Sequence, residues 1–142
     1  MKNEKQLKHK FNDIQKKDIN GFKDFNDFKE WYKQQYEKQE KKCHYCEMQE
    51  TDIETIVMEG MLKSKRFPQN GKISQGHSRG VNLEIDRKKS NKNYSKENCV
   101  LACYFCNNDK SDVFDEEKYK DFVKDRKGFL EKLLFQSKKQ HY

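Results

Sequence analysis

Apolar positions in this chain come in short patterned clusters separated by long polar runs, and each pattern predicts an element. Phe25, Phe28, Trp31, Tyr32 and Tyr36 recur at helical spacing with charged residues between them, which predicts an amphipathic helix with its aromatic stripe in the core. A second, shorter helix is expected over Ile53 to Leu62. The run Val81-Asn-Leu-Glu-Ile-Asp-Arg87 switches to a period of two, placing Val81, Leu83 and Ile85 on one strand face and Asn82, Glu84 and Asp86 on the other. That alternation aims Asp86 away from the core. Cys99 to Ala102 predicts a second short strand, and a helix is expected to start at Asn107.

From Asp115-Glu116-Glu117 onward, one C-terminal helix is expected with Tyr119, Phe122, Val123, Phe129, Leu130, Leu133 and Leu134 as an apolar stripe broken by Gly128. The stripe calls for a partner, either the Trp31 helix or a second copy of the chain. Lys63, Lys65, Arg66, Lys72 and Arg79 are punctuated by Pro68, Asn70-Gly71 and Gly76, the signature of a loop or hairpin. Residues 1–21 are polar and read as a basic arm or short helix. Residues 22–142 read as a single domain whose C-terminal helix begins at about 115.

Composition changes the picture in two ways. Of 142 residues only 32% are hydrophobic and 39% are charged, so the core is thin and calls for a staple. The two pairs Cys43-His-Tyr-Cys46 and Cys103-Tyr-Phe-Cys106 supply one, because four thiolates delivered as two knuckles match tetrahedral zinc. Cys99, outside both pairs, reads as a buried strand residue. A formal charge of +7, from 31 Lys and Arg against 24 Asp and Glu, favours a polyanionic partner. The N-terminus lacks the apolar core of a signal peptide, and no run approaches the roughly 20 apolar residues of a membrane span. The expectation is a cytoplasmic protein without a membrane partner, whose cysteines bind metal rather than form disulfides.

The order Asp86-Arg87, Glu97-Asn98, then Cys103-Tyr-Phe-Cys106-Asn107-Asn-Asp-Lys110 resembles the HNH endonucleases, most of all the small PacI-like restriction enzymes, over about Phe25 to Phe114. The resemblance implies an α+β fold, a zinc-stapled ββα-metal core with flanking helices. It also implies structural Zn²⁺ on Cys43, Cys46, Cys103 and Cys106, and a catalytic Mg²⁺ or Mn²⁺ on Asp86 and Asn107, whose oxygens suit a hard cation. Asn98 takes the bracing role of the family's central Asn. No organic cofactor is implied.

The departure from the family lies at Arg87, where the pattern has a His base, because a guanidinium cannot accept a proton. Arg87 would clamp the scissile phosphate instead, leaving His77 and Tyr94, then His44, as candidates for the base. Arg66 and Arg79 carry forks that suit guanine or phosphate, and Lys88, Lys89, Lys92, Lys96 and Lys110 would contact phosphates. The expected function is a metal-dependent endonuclease on double-stranded DNA, a site-specific type II restriction enzyme cutting a palindrome as a homodimer. The alternatives are a nicking or homing enzyme, and a zinc-stabilised DNA-binding module without catalysis. Asp86 with Asn107 separates these, since a pure binder has no need of a hard-metal pair.

Overall fold

A computed structural model describes residues 1–140, with side chains to residue 136. Helix α1 (Glu4–Lys16) settles the ambiguous N-terminal region, because Leu7, Phe11 and Ile14 fall on one face and are buried there. Asn3 and Gln6 close its first turn with a reciprocal capping box. It lies on α2 (Phe25–Lys38), where the Phe11 ring meets those of Phe25 and Phe28 at 5.8 and 5.7 Å. Phe28, Trp31, Tyr32 and Tyr36 form the buried stripe expected of α2.

Helix α3 (Glu50–Met58) ends four residues short of Leu62 and buries Ile53, Ile56 and Val57. Its first residue is a buried carboxylate that nothing in the periodicity foretold. Glu50 accepts from the Tyr36 hydroxyl and from the Leu83 backbone N–H, both at 2.8 Å, and so ties α2, α3 and the strand entry together.

Strands β1 (Glu84–Arg87) and β2 (Cys99–Ala102) pair antiparallel, with Glu84 opposite Ala102 and Asp86 opposite Val100. The two-residue alternation holds, but both faces are covered. Leu83 and Ile85 are buried on one side. Glu84 and Asp86, on the other, lie beneath α4 (Tyr104–Lys110), so Asp86, on the face expected, is nonetheless only 6% exposed.

The loop between the strands is braced by Asn98, which donates to the carbonyls of Lys89 and Asn93 and accepts from Lys89 N–H. The loop also docks on the N-terminal region, where Gly21 donates to Tyr94 O at 2.6 Å. A Cβ on Gly21 would fall 2.7 Å from that oxygen.

The expected C-terminal helix is two: α5 (Glu116–Phe122) and α6 (Arg126–Gln140). Its apolar stripe divides with them. Tyr119, Val123 and Leu130 are buried, whereas Phe122 and Phe129 are 64% and 56% exposed. Helix α6 packs on α3. None of the described helices is long and apolar enough to cross a membrane.

Residues 63–79 form two tight turns, closed at Gln69 with Lys72 and at Ser74 with His77, instead of a continuous hairpin. Arg79 N–H donates to Arg66 O at 2.9 Å and shuts the base of the loop. Gly80 follows at φ +94°, and a Cβ there would meet the Phe67 ring at 2.9 Å. Gly76 has a similar φ of +80° but open space around it. Gly76→Ala should therefore cost about 1 kcal/mol and Gly80→Ala about 2 kcal/mol or more, since only the second adds a clash to the backbone strain. Urea midpoints of the two variants measure the difference, and equal losses would deny the close contact.

Candidate functional site

The four knuckle cysteines converge although Cys103 follows Cys46 by 57 positions. Their Sγ atoms all lie within 4.8 Å of one another, all four residues are buried, and Cys46 and Cys103 are 3.9 Å apart. Tetrahedral zinc with Zn–S bonds of about 2.3 Å sets its sulfurs about 3.8 Å apart, so the cluster fits the ion. Backbone N–H groups support the sulfurs: Cys103 donates to Cys43 Sγ at 3.3 Å and Cys106 to Cys103 Sγ at 3.4 Å. Arg126, the first residue of α6, reaches Cys106 Sγ at 3.8 Å and Asp109 at 2.7 Å. Hydrogen bonding with Cys106, Cys43 and Cys46, followed by burial, pushes the Cys103 thiol well above its ordinary range. Four thiolates therefore persist together only around a cation. Cys99 stands apart on β2, its thiol pushed up to about 12 by burial and so unreactive.

Beside the cluster, α4 lies over the polar face of β1 and makes two separate contacts. Toward its C-terminal end, Lys110 is fully buried and donates to Arg87 O at 2.7 Å, with Asp86 Oδ2 at 3.3 Å. Tyr45, from within the first knuckle, donates to the same oxygen at 2.5 Å. Both contacts fall on Oδ2, so Oδ1 is the oxygen that could accept a cation. Burial raises the Asp86 carboxyl above its ordinary range despite the opposing pull of Tyr45 and Lys110, and a divalent cation there would relieve that cost. Lys110 is thus no phosphate contact, contrary to expectation; it is the internal counter-ion of Asp86.

One turn earlier on α4, Asn107 Nδ2 donates to Glu84 Oε2 at 2.9 Å. Arg79 grips Glu84 with two bonds of 2.8 Å, and its guanidinium lies 5.0 Å from the Tyr104 ring. The fork expected to read guanine is therefore engaged within the protein. Burial works against the Glu84 carboxylate, yet Arg79 and Asn107 hold it below the usual range. Glu84 was not singled out from the sequence, although the strand alternation put it on the face of Asp86. Tyr45 and Arg126 gave no sequence signal, since their contacts join segments far apart in the chain.

The remaining candidates divide. Arg87 donates to Lys92 O at 3.0 Å and stacks 4.7 Å from the Tyr94 ring, whose other cation is Lys10 at 4.9 Å. Arg87 and Tyr94 are thus brought together. His77 is held in its turn by a hydrogen bond with Lys65 O and, among the described residues, touches neither Asp86, Arg87 nor Asn107. His44 is paired with Glu116 at 2.6 Å, and burial lowers its pKa against the pull of that carboxylate.

Arg66 reaches the Tyr104 hydroxyl at 3.5 Å, and Lys96 pairs with Asp27 at 2.5 Å. Lys88, Lys89 and Lys92 line a cleft of about 460 Å³ together with Asp115, Glu116 and Glu117.

A short antiparallel pair followed by a helix, stapled by four cysteines and carrying an Asp and an Asn on its inner face, defines a ββα-metal core of the HNH kind, an α+β fold. Among solved structures, the chain is similar to the rare-cutting HNH restriction endonuclease PacI, with a TM-score of 0.60 and 21% sequence identity over 87% of this chain and 75% of that one. That likeness establishes the fold. Neither family models nor curated proteins give a match to this sequence.

Purified protein is expected to carry one zinc per chain by elemental analysis, and chelation should unfold it, since structural zinc contributes about 10 kcal/mol or more. Cys103→Ser should lose the ion and Cys99→Ala should keep it. Lys110→Met should lower stability by about 3 kcal/mol in denaturant titrations, because it leaves the Asp86 carboxylate buried and unpaired; a neutral outcome would argue against the ion pair.

Proposed function

We propose that this chain is a metal-dependent endonuclease acting in the cytoplasm on double-stranded DNA, with residues 22–142 as its nuclease domain. The observation that carries the reading is an HNH restriction-endonuclease fold in which Asp86 on β1 and Asn107 on α4 stand next to the cysteine cluster. Their side-chain oxygens make the donor set that Mg²⁺ or Mn²⁺ prefers. Bound there, the cation would neutralise charge at phosphorus and stabilise the leaving 3′-oxygen, so that hydrolysis gives a 5′-phosphate and a 3′-hydroxyl.

The protein's own residues do the rest. Arg87 lies over the Tyr94 ring with part of its fork spent on Lys92 O, and the remaining N–H groups clamp the scissile phosphate. Of the two leading base candidates, Tyr94 is the one in contact with Arg87, which favours it over His77. Lys88, Lys89 and Lys92 draw in the phosphate backbone along their cleft. Exposed Phe122 and Phe129 support a homodimer, which lets two single-strand sites cut both strands of a palindrome in the manner of a type II restriction enzyme.

Supercoiled plasmid with Mg²⁺ or Mn²⁺ should yield discrete linear fragments. EDTA should abolish them, and Asp86→Ala and Asn107→Ala should each slow cleavage by about a hundredfold or more. DNA that shifts on a gel but stays supercoiled would instead favour a binding module, a reading that Arg87 in place of a His base supports. Nicked circles alone would mark a single-strand nickase.

A further inference from the structure

A hard cation beside Asn107 can use only the side-chain oxygen, so the amide must be turned one way. An amide is nearly symmetric in shape, and nothing in the Asn side chain itself selects that orientation. Glu84 does. Arg79 donates to both of its carboxylate oxygens, Nε to Oε1 and Nη2 to Oε2. A guanidinium is always charged and only donates, so Glu84 meets it as a carboxylate with no proton to give. Asn107 must then face Oε2 through Nδ2, at 2.9 Å, because the reversed amide would set two acceptors against each other. Its Oδ1 is turned away from Glu84. The orientation follows from donor and acceptor chemistry at this contact.

Glu84 is well placed for the task. Its backbone is paired with Ala102 in the ladder and the residue is 8% exposed. Arg79 is steadied in turn by the Tyr104 ring and by its backbone bond to Arg66. We infer that Glu84 is a positioning residue that presents Asn107 Oδ1 to the divalent cation, with Arg79 as the clamp that keeps Glu84 an acceptor. The inference rests on the proposed metal role of Asn107. It also gives the turn-rich 63–79 loop a route to the metal site, since Arg79 closes that loop.

The test is Mn²⁺ titrated into the zinc-loaded full chain, with free Mn²⁺ read by electron paramagnetic resonance. Glu84→Ala should weaken binding about 10- to 100-fold, the usual effect of losing a group that orients a metal ligand. In an Asn107→Asp background the same change should leave binding unweakened, because a carboxylate presents an oxygen whichever way it turns. Equal weakening in both backgrounds would make Glu84 a ligand or a bulk charge and overturn the inference, as would no weakening in either.

If Glu84→Ala loses its zinc or its fold, nuclear magnetic resonance of the wild-type chain decides. The Asn107 side-chain NH₂ should show one proton shifted downfield and protected from exchange, and two exposed protons would overturn the inference. Plasmid cleavage by the same preparations is scored separately. Mn²⁺ binding in the expected pattern without cleavage removes the nuclease reading and leaves the positioning role standing. Cleavage without Asn107-dependent Mn²⁺ binding removes the positioning role.

Discussion

Four sulfur atoms crowded within 4.8 Å hold the two halves of this chain together, and the rest of the architecture is arranged around that crowding. A sequence that is 39% charged has little apolar surface with which to fix a two-stranded sheet of four residues per strand. The cluster does what a larger core would otherwise do, because it sets α4 against β1 with little freedom to slide. From that constraint the polar face inherits its register, with Lys110 opposite Asp86 and Asn107 opposite Glu84. A shift of one residue in α4 would break both pairs at once.

The two pairs divide the labour of a buried polar face. Asp86 with Tyr45 and Lys110 is an interior ion pair, enclosed and over-supplied with donors on one oxygen. Glu84 with Arg79 and Asn107 sits nearer the surface, where Arg79 remains partly open to solvent. Buried charges of this kind persist only when every partner is present, so the face is strict about its geometry. That strictness suits the proposed site, in which a phosphate, a cation and a water would be held at once.

Much of this fold could be read from the sequence, and the reason is periodicity. The stripe Phe28, Trp31, Tyr32 and Tyr36 announces α2, the alternation from Val81 to Arg87 announces β1, and two Cys-x-x-Cys pairs announce a metal cluster. The less legible parts are pairings between polar residues distant in sequence, which leave no period behind. Nothing near Glu84 signals that Asn107 will be its partner, and nothing near Lys110 signals that a lysine will lie wholly buried. The C-terminal stripe misled for a related reason. Its seven apolar residues share a pattern, but the chain breaks between α5 and α6, and separate tertiary contacts, Tyr119 with Tyr45 and α6 with α3, decide which of them are buried.

Arg126 touches both a knuckle cysteine and Asp109, so α6 begins at the cysteine cluster. This has a consequence for how the chain is born. During synthesis the first knuckle waits for the second, which at about 5–20 residues per second takes several seconds to follow. Until then no sheet can close, and α6 has nothing to latch onto until the cluster is complete. Order of synthesis is therefore also order of assembly: the second knuckle completes the cluster, and only then does Arg126 find the sulfur and the carboxylate on which α6 is anchored.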